Sequence, residues 1–280
     1  MITSQQIKAL VRKKSKLLNL NANIILRAVI FELFLEKLSK SPYKDKFIVK
    51  GGFLISAITK IDLRTTMDLD ITLKSLSIEQ SALKKCIEEI ILIPTHNELI
   101  MEFDRIVEIH DEADYPGLRV SLRIFFQGIK GTIKIDFTTG DILTPSETHF
   151  NYLTILQGNT IELMSYNIET ILAEKIERIL SRGVLNTRMR DFYDVYILWK
   201  LKRNEIDSNI LQNAIIKTSK YRKTYDSIIP KYRTIIELIE ADSFLIKMWE
   251  TYQINYPFAN DIVWEDIIMS IKMILKETIK

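Results

Sequence analysis

The chain has 280 residues, of which 47% are hydrophobic and 27% are charged, and this composition is typical of a soluble globular protein with one large or two ordinary domains. The net charge of +3 is too small to predict nucleic-acid binding by itself, and a single cysteine, Cys86, excludes an internal disulfide and a cysteine-based zinc site. The N-terminus is too polar for a signal peptide, and no apolar stretch reaches the roughly 18 residues that a membrane-spanning helix needs. We therefore expect a cytoplasmic protein without a membrane association.

The first half of the chain reads as alternating helices and strands. Two helices are predicted over residues 3–19 and 24–38, and the second is apolar enough to pack on a sheet. The stretch 47–74 is expected to form a strand, a glycine pair, a short helix and a second strand. A helix over 77–91, a strand with a possible bulge over 99–109 and a hairpin of 118–126 with 132–137 follow. Most of 141–158 is predicted to be a loop, and a short strand is predicted at 161–163. This order predicts an α/β (α+β) domain with a mixed sheet over 1–165.

Two aspartates in the stretch 47–74 carry the first chemical inference. Asp68 and Asp70 are two residues apart, and on a strand they would present their carboxylates on the same face. Like charges that close repel one another unless a cation lies between them. Magnesium takes oxygen ligands and commonly binds one or two carboxylates together with substrate phosphates.

The glycine pair supplies a complementary feature. Gly51 and Gly52 stand between a strand and a helix, where glycine lets the backbone approach a ligand and aim free N–H groups at an anion. A lone glycine pair or a lone Asp-x-Asp is more often a structural turn. The order of strand, glycine pair, helix, polar turn, Asp-x-Asp and strand is more specific, and it indicates a nucleoside-triphosphate site with a metal.

A third carboxylate lies on a later strand. In 132–137 the apolar residues alternate with polar ones, which places Asp136 on the polar face of a strand that we expect to neighbour Asp68 and Asp70. Three carboxylates fit a two-metal arrangement. The alternative is a charge on an edge strand that pairs with Lys134 or Arg123.

From residue 167 onward the pattern is helical, so a second, α-helical domain is predicted over 166–280. The expected helices cover 167–181, a segment that begins near 187, 205–220, 224–240 with Pro230 as a kink or start, 242–252 and 263–279. Asp191 and Asp194 share one helix face, where they would serve as a cap and pair with Arg188 or Arg190. By the same reasoning Lys175 would be a surface lysine beside the pair Glu174–Arg178, and the basic segment 217–225 a solvated helix end rather than an RNA contact.

The motifs resemble those of a known family. K-G-G-x(11)-R-x-T-x-D-x-D, followed by A-E-K-I-x-R and R-x-R-D-F-Y-D-x-Y-x-L, is similar to the pattern of polymerase-β-type nucleotidyltransferases in the form of the AbiEii/AbiGii toxins. The resemblance implies catalytic roles for Asp68, Asp70, Lys175 and Asp191, nucleotide binding by Lys50, Gly51, Gly52, Arg64, Thr66 and Asp194, and metal binding by Asp68, Asp70 and Asp136. It also implies that the helical domain completes the active site. Phe53 departs from the pattern, because a small hydroxylated residue often follows the glycines.

The resemblance further implies a biological role. It predicts transfer of a nucleotide from a nucleoside triphosphate, with Mg²⁺ or Mn²⁺ as cofactor, by the toxin of a type IV toxin–antitoxin or abortive-infection system that acts in phage defence. tRNA is the expected acceptor, and a cognate antitoxin would be encoded nearby. Two alternatives stay open: modification of a protein or of a small molecule such as an aminoglycoside, and a non-catalytic nucleotide-binding module.

Overall fold

The computed structural model describes residues 4–18, 20–60, 68–76, 79–95, 99–110, 116–126 and 129–279. Arg64 and Thr66 lie outside the described residues, as do Ser77 and Ile78 at the predicted start of a helix. The chain divides into two compact units. One comprises Met1–Asp141 and Glu147–Tyr166, and the other comprises Ile142–Ser146 and Asn167–Lys280.

The first unit is built on a mixed seven-stranded sheet among its described residues, as the sequence predicts. Its strands are β1 (Phe47–Lys50), β2 (Leu69–Leu73), β3 (Ile100–His110), β4 (Pro116–Phe126), β5 (Ile129–Thr139), β6 (Thr148–Leu153) and β7 (Thr160–Ser165). Their order across the sheet is β3-β4-β5-β2-β1-β7-β6. Strand β2 pairs parallel with β5 and antiparallel with β1, and β1 pairs parallel with β7, so β2 and β1 occupy the middle of the sheet.

In the described part of this unit, four helices accompany the sheet: α1 (Ser4–Leu18), α2 (Ala22–Ser39), α3 (Gly51–Thr59) and α4 (Gln80–Ile91). Helix α2 is apolar over most of its length and packs on the sheet through contacts with β5 and β7, as predicted. Rings on β1 and β5 meet in the core, where Phe47 and Phe137 are fully buried with their centroids 5.6 Å apart. Burial of these large side chains fixes β1 and β5 against the same core and so positions the strands that carry the acidic residues.

The predicted hairpin is confirmed. Strands β4 and β5 pair from Leu118 opposite Phe137 to Phe126 opposite Ile129, so the second strand begins three residues earlier than predicted. Strand β3 carries the expected irregularity, between Phe103 and Arg105. The prediction of a loop over most of 141–158 is confirmed for twelve of its eighteen residues, but it missed one strand. Strand β6 forms there at the edge of the sheet, and Tyr152 is its only buried residue, so the strand has no apolar alternation that the sequence could reveal.

The second unit is helical. Its α-helices are α5 (Ile168–Arg182), α6 (Met189–Lys202), α7 (Ser208–Tyr221), α8 (Tyr225–Ile228), α9 (Tyr232–Ala241), α10 (Ser243–Asn255) and α11 (Trp264–Thr278). Asn167 caps α5 by accepting a hydrogen bond from the Thr170 N–H, and Gly183 ends it with a φ of +52°. A 3₁₀ turn that contains Pro230 separates α8 from α9, which is the predicted break. None of the described helices combines the length and the apolarity that a membrane crossing requires.

Candidate active site

Three carboxylates come together on the sheet of the first unit. Asp70 on β2 lies beside Asp136 in the parallel register with β5, and Asp68 is the residue directly before β2. Arg119 on β4 is opposite Asp136 in the antiparallel register with β5. Its Nε and Nη2 donate hydrogen bonds of 2.6 Å each to the two carboxylate oxygens of Asp136, and Nη2 also lies 3.2 Å from Oδ2 of Asp68.

This geometry bears on the edge-strand interpretation of Asp136. Strand β5 lies between β4 and β2 and not at an edge, and the partner of Asp136 is Arg119. Arg123 instead lies within 4 Å of Glu102 and Asp104. The alternative of an edge-strand charge is therefore wrong, and Asp136 belongs with the other two aspartates.

The electrostatics show how crowded the carboxylates are. Burial raises the pKa of Asp68, the nearby charge of Asp136 raises it further, and Arg119 opposes both effects. The carboxylates in turn raise the pKa of Arg119. A cation is therefore favoured at this position, and the guanidinium group of Arg119 supplies part of that charge.

The donor set is chemically suited to a hard divalent cation, because it consists of carboxylate oxygens on neighbouring backbone segments. Across the described part of the chain, no group of three or more His, Cys, Asp and Glu side chains has the arrangement of a ready metal site. Instead, Arg119 spans Asp68 and Asp136. Metal binding at these aspartates would require the guanidinium group to give up at least part of these ion pairs.

Gly51 lies directly against Asp70. It has a φ of +70°, and a Cβ atom added to it would stand 1.9 Å from Oδ2 of Asp70. It is also the first residue of α3, and Lys50 at the cap position makes no side-chain capping bond. The first N–H groups of α3 therefore begin next to an acidic side chain, an arrangement that suits a phosphate bound together with a metal.

Lys50 takes part in a buried polar network. Its Nζ donates hydrogen bonds of 2.7 Å to Oγ1 of Thr138 and 2.7 Å to Oδ2 of Asp141, and the hydroxyl group of Thr72 donates to the same carboxylate oxygen. Burial would raise the pKa of Asp141, but Lys50 and the hydroxyl groups outweigh it and lower the pKa to about 2. The network holds the residue before Gly51 in place. The sequence predicts a loop at Asp141, and no motif marks this residue.

A second charged cluster lies within the helical unit. Nζ of Lys175 on α5 donates a short hydrogen bond to Asp191 on α6 and lies 3.1 Å from Oδ2 of Asp194. Arg178 and Arg188 lie 3.7 Å and 3.5 Å from Oδ2 of Asp191. Both aspartates are fully buried. Burial would raise the pKa of Asp191, but Lys175 and the arginines lower it to about 2.

This cluster corrects the interpretation of Lys175 as a surface lysine, because its side chain is only 14% exposed and bonds to buried carboxylates. The expected pair Glu174–Arg178 is also wrong, since Glu174 lies 3.4 Å from Arg222. Arg222 binds Glu177 as well, at 2.6 Å, and so the basic segment 217–225 is partly neutralised within its own unit.

The departure at Phe53 has a structural reason. Its side chain is buried, and its ring packs edge-on against Phe31 at 6.1 Å and tilted against Tyr152 at 5.2 Å. The position after the glycines is thus part of the core in this chain. This position therefore offers no hydroxyl group to an anion, and the N–H groups of the Gly51–Gly52 segment are the donors that an anion there would meet.

The chain is similar to a known protein family and to solved structures. The family profile described as "Nucleotidyl transferase AbiEii toxin, Type IV TA system" matches residues 33–268. The chain is similar in fold to the crystal structure of JHP933 from Helicobacter pylori, with a TM-score of 0.50, 17% sequence identity and coverage of 92% of this chain and 94% of that one. A second H. pylori structure aligns with a TM-score of 0.48 and 16% identity over 92% of this chain and 97% of that one. No curated protein matches the sequence significantly.

Proposed function

Because the chain belongs to the AbiEii family of nucleotidyl transferase toxins of type IV toxin–antitoxin systems, we propose that it transfers a nucleotide from a nucleoside triphosphate to tRNA in a reaction that depends on Mg²⁺ or Mn²⁺. The observation that carries this proposal is the contact of Gly51, at the start of α3, with Asp70 beside Asp136. It puts N–H groups for a phosphate next to carboxylates for a cation.

In the proposed reaction, Asp68, Asp70 and Asp136 would hold the metal, and a bound divalent cation would supply positive charge to the reacting oxygens. A hydroxyl group of the acceptor attacks the α-phosphorus in line. The new P–O bond forms as the bond between the α-phosphorus and its bridging oxygen breaks, and pyrophosphate leaves. The proton of the hydroxyl group passes to a carboxylate of the cluster or to solvent. The N–H groups of Gly51 and Gly52 bind the triphosphate.

We assign the remaining residues on the strength of the family motifs. Lys175 and Asp191 serve the reaction, and Asp194, Arg64 and Thr66 serve nucleotide binding. Lys50 supports the glycine segment through Asp141 and Thr138, since its ammonium group is bound by these residues. In the cell, the protein acts in the cytoplasm as a phage-defence toxin that a cognate antitoxin counteracts.

The test is the transfer of α-³²P label from each of the four nucleoside triphosphates, with MgCl₂, into total bacterial RNA and protein. Wild type is compared with Asp70→Asn, which removes the charge and keeps the shape, and with Asp104→Asn as a control. Asp104 is an exposed carboxylate on β3 that lies 3.7 Å from Arg123. We expect label in a tRNA-sized band with wild type and the control and none with Asp70→Asn.

The other outcomes identify the alternatives. Label in protein would show that the acceptor is a protein and not RNA. Label in a low-molecular-weight fraction would indicate a small-molecule acceptor. Equal transfer by wild type and Asp70→Asn would show that the carboxylates are not the catalytic site. Nucleotide binding without any transfer would make the protein a binding module.

A further inference from the structure

Helix α1 carries a larger net positive charge than the whole chain does. Helix α1 carries five basic residues and no acidic one, and the first acidic residue of the sequence is Glu32, well beyond its end. The net charge of the whole chain is +3, so the residues outside α1 together carry a net charge of −2. The small overall charge therefore conceals a strongly basic helix.

Four of these side chains form one exposed surface, which we call the α1 basic face: Lys8, Arg12, Lys13 and Lys16. Lys8, Arg12 and Lys16 follow one another at intervals of four residues, so they form a row along the helix with steps of about 6 Å. Lys13 is exposed beside this row. Within the described part of the chain, no ion pair neutralises any of the four.

The opposite side of α1 is buried in the first unit. Ile7 and Val11 are 2% and 6% exposed, and α1 packs against α2. The fifth cation, Lys14, is half-buried on the side toward α2 and interacts electrostatically with Glu32. The basic face thus points away from the rest of its own unit and does not stabilise it.

We propose that the α1 basic face is a docking surface for the phosphate backbone of the RNA acceptor. A row of evenly spaced, unneutralised cations fits a polyanion with regularly spaced charges. A lipid surface fits less well, because a helix that lies in a membrane interface buries a continuous apolar side. Here Ile7 and Val11 are buried where α1 packs against α2, and Leu17, at 71% exposure, is a single apolar side chain near the end of the helix. This inference rests on the proposed function, since it names the surface that would hold the acceptor.

The test compares wild type with the triple variant Lys8→Gln/Arg12→Gln/Lys16→Gln. The control is Lys85→Gln/Lys247→Gln/Lys276→Gln, which removes the same number of charges from exposed positions on α4, α10 and α11. Binding of a fluorescently labelled mixed tRNA fraction is measured by anisotropy at a series of KCl concentrations. Cosedimentation with vesicles that contain phosphatidylserine is measured in parallel.

We expect the α1 variant to bind tRNA about 100-fold more weakly at 0.1 M KCl, and its log–log salt slope to fall by about 2, since each phosphate contact contributes roughly 0.7–0.9 to that slope. The control should keep the wild-type slope. An equal loss in both triple variants, or no loss in either, would overturn the proposal. So would vesicle binding that depends on the α1 basic face when tRNA binding does not.

Nucleotide binding, followed with a fluorescent nucleoside triphosphate, should be the same in wild type and both triple variants. This separates the two proposals. If wild type transfers no label to RNA, the proposed function fails, but salt-dependent tRNA binding through α1 is still measured. If transfer to tRNA occurs and the α1 variant binds and modifies tRNA like wild type, only the docking surface is wrong.

Discussion

Gly51 and Asp70 are in such close contact that no side chain can be accommodated between them: a Cβ atom on Gly51 would lie 1.9 Å from Oδ2 of Asp70. The contact joins the start of α3 to the acidic residue in the centre of the sheet. Glycine is needed here for two reasons, its φ of +70° and the absence of a Cβ. The two reasons can be separated by experiment.

Gly51→Ala should displace the carboxylate of Asp70 and lower the rate of nucleotide transfer by about 100-fold, the effect expected for a misplacement of roughly 1 Å. The rate is measured by label transfer at saturating nucleoside triphosphate. Gly158→Ala is the control, because Gly158 has a φ of +68° but no atom within 4 Å of an added Cβ. Both variants should lose about 1 kcal/mol of stability through backbone strain. Equal activity in both would contradict the steric argument.

The site of the first unit also shows which features the sequence predicts and which it does not. The alternation of polar and apolar residues predicts that Asp136 lies on the polar face of its strand. The expectation that this strand neighbours Asp68 and Asp70 is confirmed by the pairing of β5 with β2. Arg119 was not identified, because its role depends on the register of β4 against β5 and not on any local pattern. Asp141 was missed for a related reason, since its partner Lys50 lies 91 residues away in the chain.

Burial is the other kind of information that the sequence lacked. Lys175 looked like a surface lysine because charged residues flank it, yet it meets two buried aspartates on a neighbouring helix. The motif resemblance implies a catalytic role for Lys175, whereas the helical pattern alone predicts a surface position. Strand β6 was missed because five of its six residues are exposed or half-buried, and such an edge strand has no apolar signature.

Arg119→Gln should increase the affinity for divalent cations, because the guanidinium group competes with them for Asp68 and Asp136. A partly exposed ion pair contributes up to about 1 kcal/mol, so the expected gain is about fivefold. Mn²⁺ binding followed by electron paramagnetic resonance measures it without reference to catalysis. Arg123→Gln is the matched control on the same strand, since Arg123 lies near Glu102 and Asp104 instead. Weaker Mn²⁺ binding by Arg119→Gln would show that Arg119 supports the cation site and does not compete with it.

Deprotonation of Glu32 should make the protein less stable as the pH rises from about 5 to 8. Its carboxyl group is 2% exposed and accepts hydrogen bonds from Tyr152 and from the N–H groups of Ile155 and Leu156. Burial raises its pKa from 4.5 to about 7, against the effect of these hydrogen bonds. Between these values the folded state binds a proton that the unfolded state has released, so stability is fully present below pH 4.5 and falls as the pH rises through 7.

The difference across this range has an upper bound of about 3 kcal/mol for a shift of this size. Glu32→Gln removes the titrating group and should flatten the dependence. Urea denaturation at pH 5, 6, 7 and 8 measures it. Glu88→Gln, at an exposed position on α4, should keep the wild-type slope. The lowered pKa values of Asp141 and Asp191, both about 2, affect stability only below about pH 4 and do not interfere. A Glu32→Gln variant with an unchanged slope would refute the assignment.

Lys175→Met should destabilise the protein by about 3–5 kcal/mol, because it leaves the charges of Asp191 and Asp194 buried without their shared ammonium group. The measurement is the urea midpoint at an unchanged m-value. Lys217→Met, on the exposed side of α7, removes the same charge from the surface and should cost less than about 0.5 kcal/mol. The double variant Lys175→Met/Asp194→Asn should recover part of the loss, since one buried charge is then removed with its partner. If Lys175→Met were as stable as wild type, the remaining cations Arg178 and Arg188 would suffice for the buried carboxylates, and the placement of Lys175 against two aspartates would have to be explained by catalysis alone.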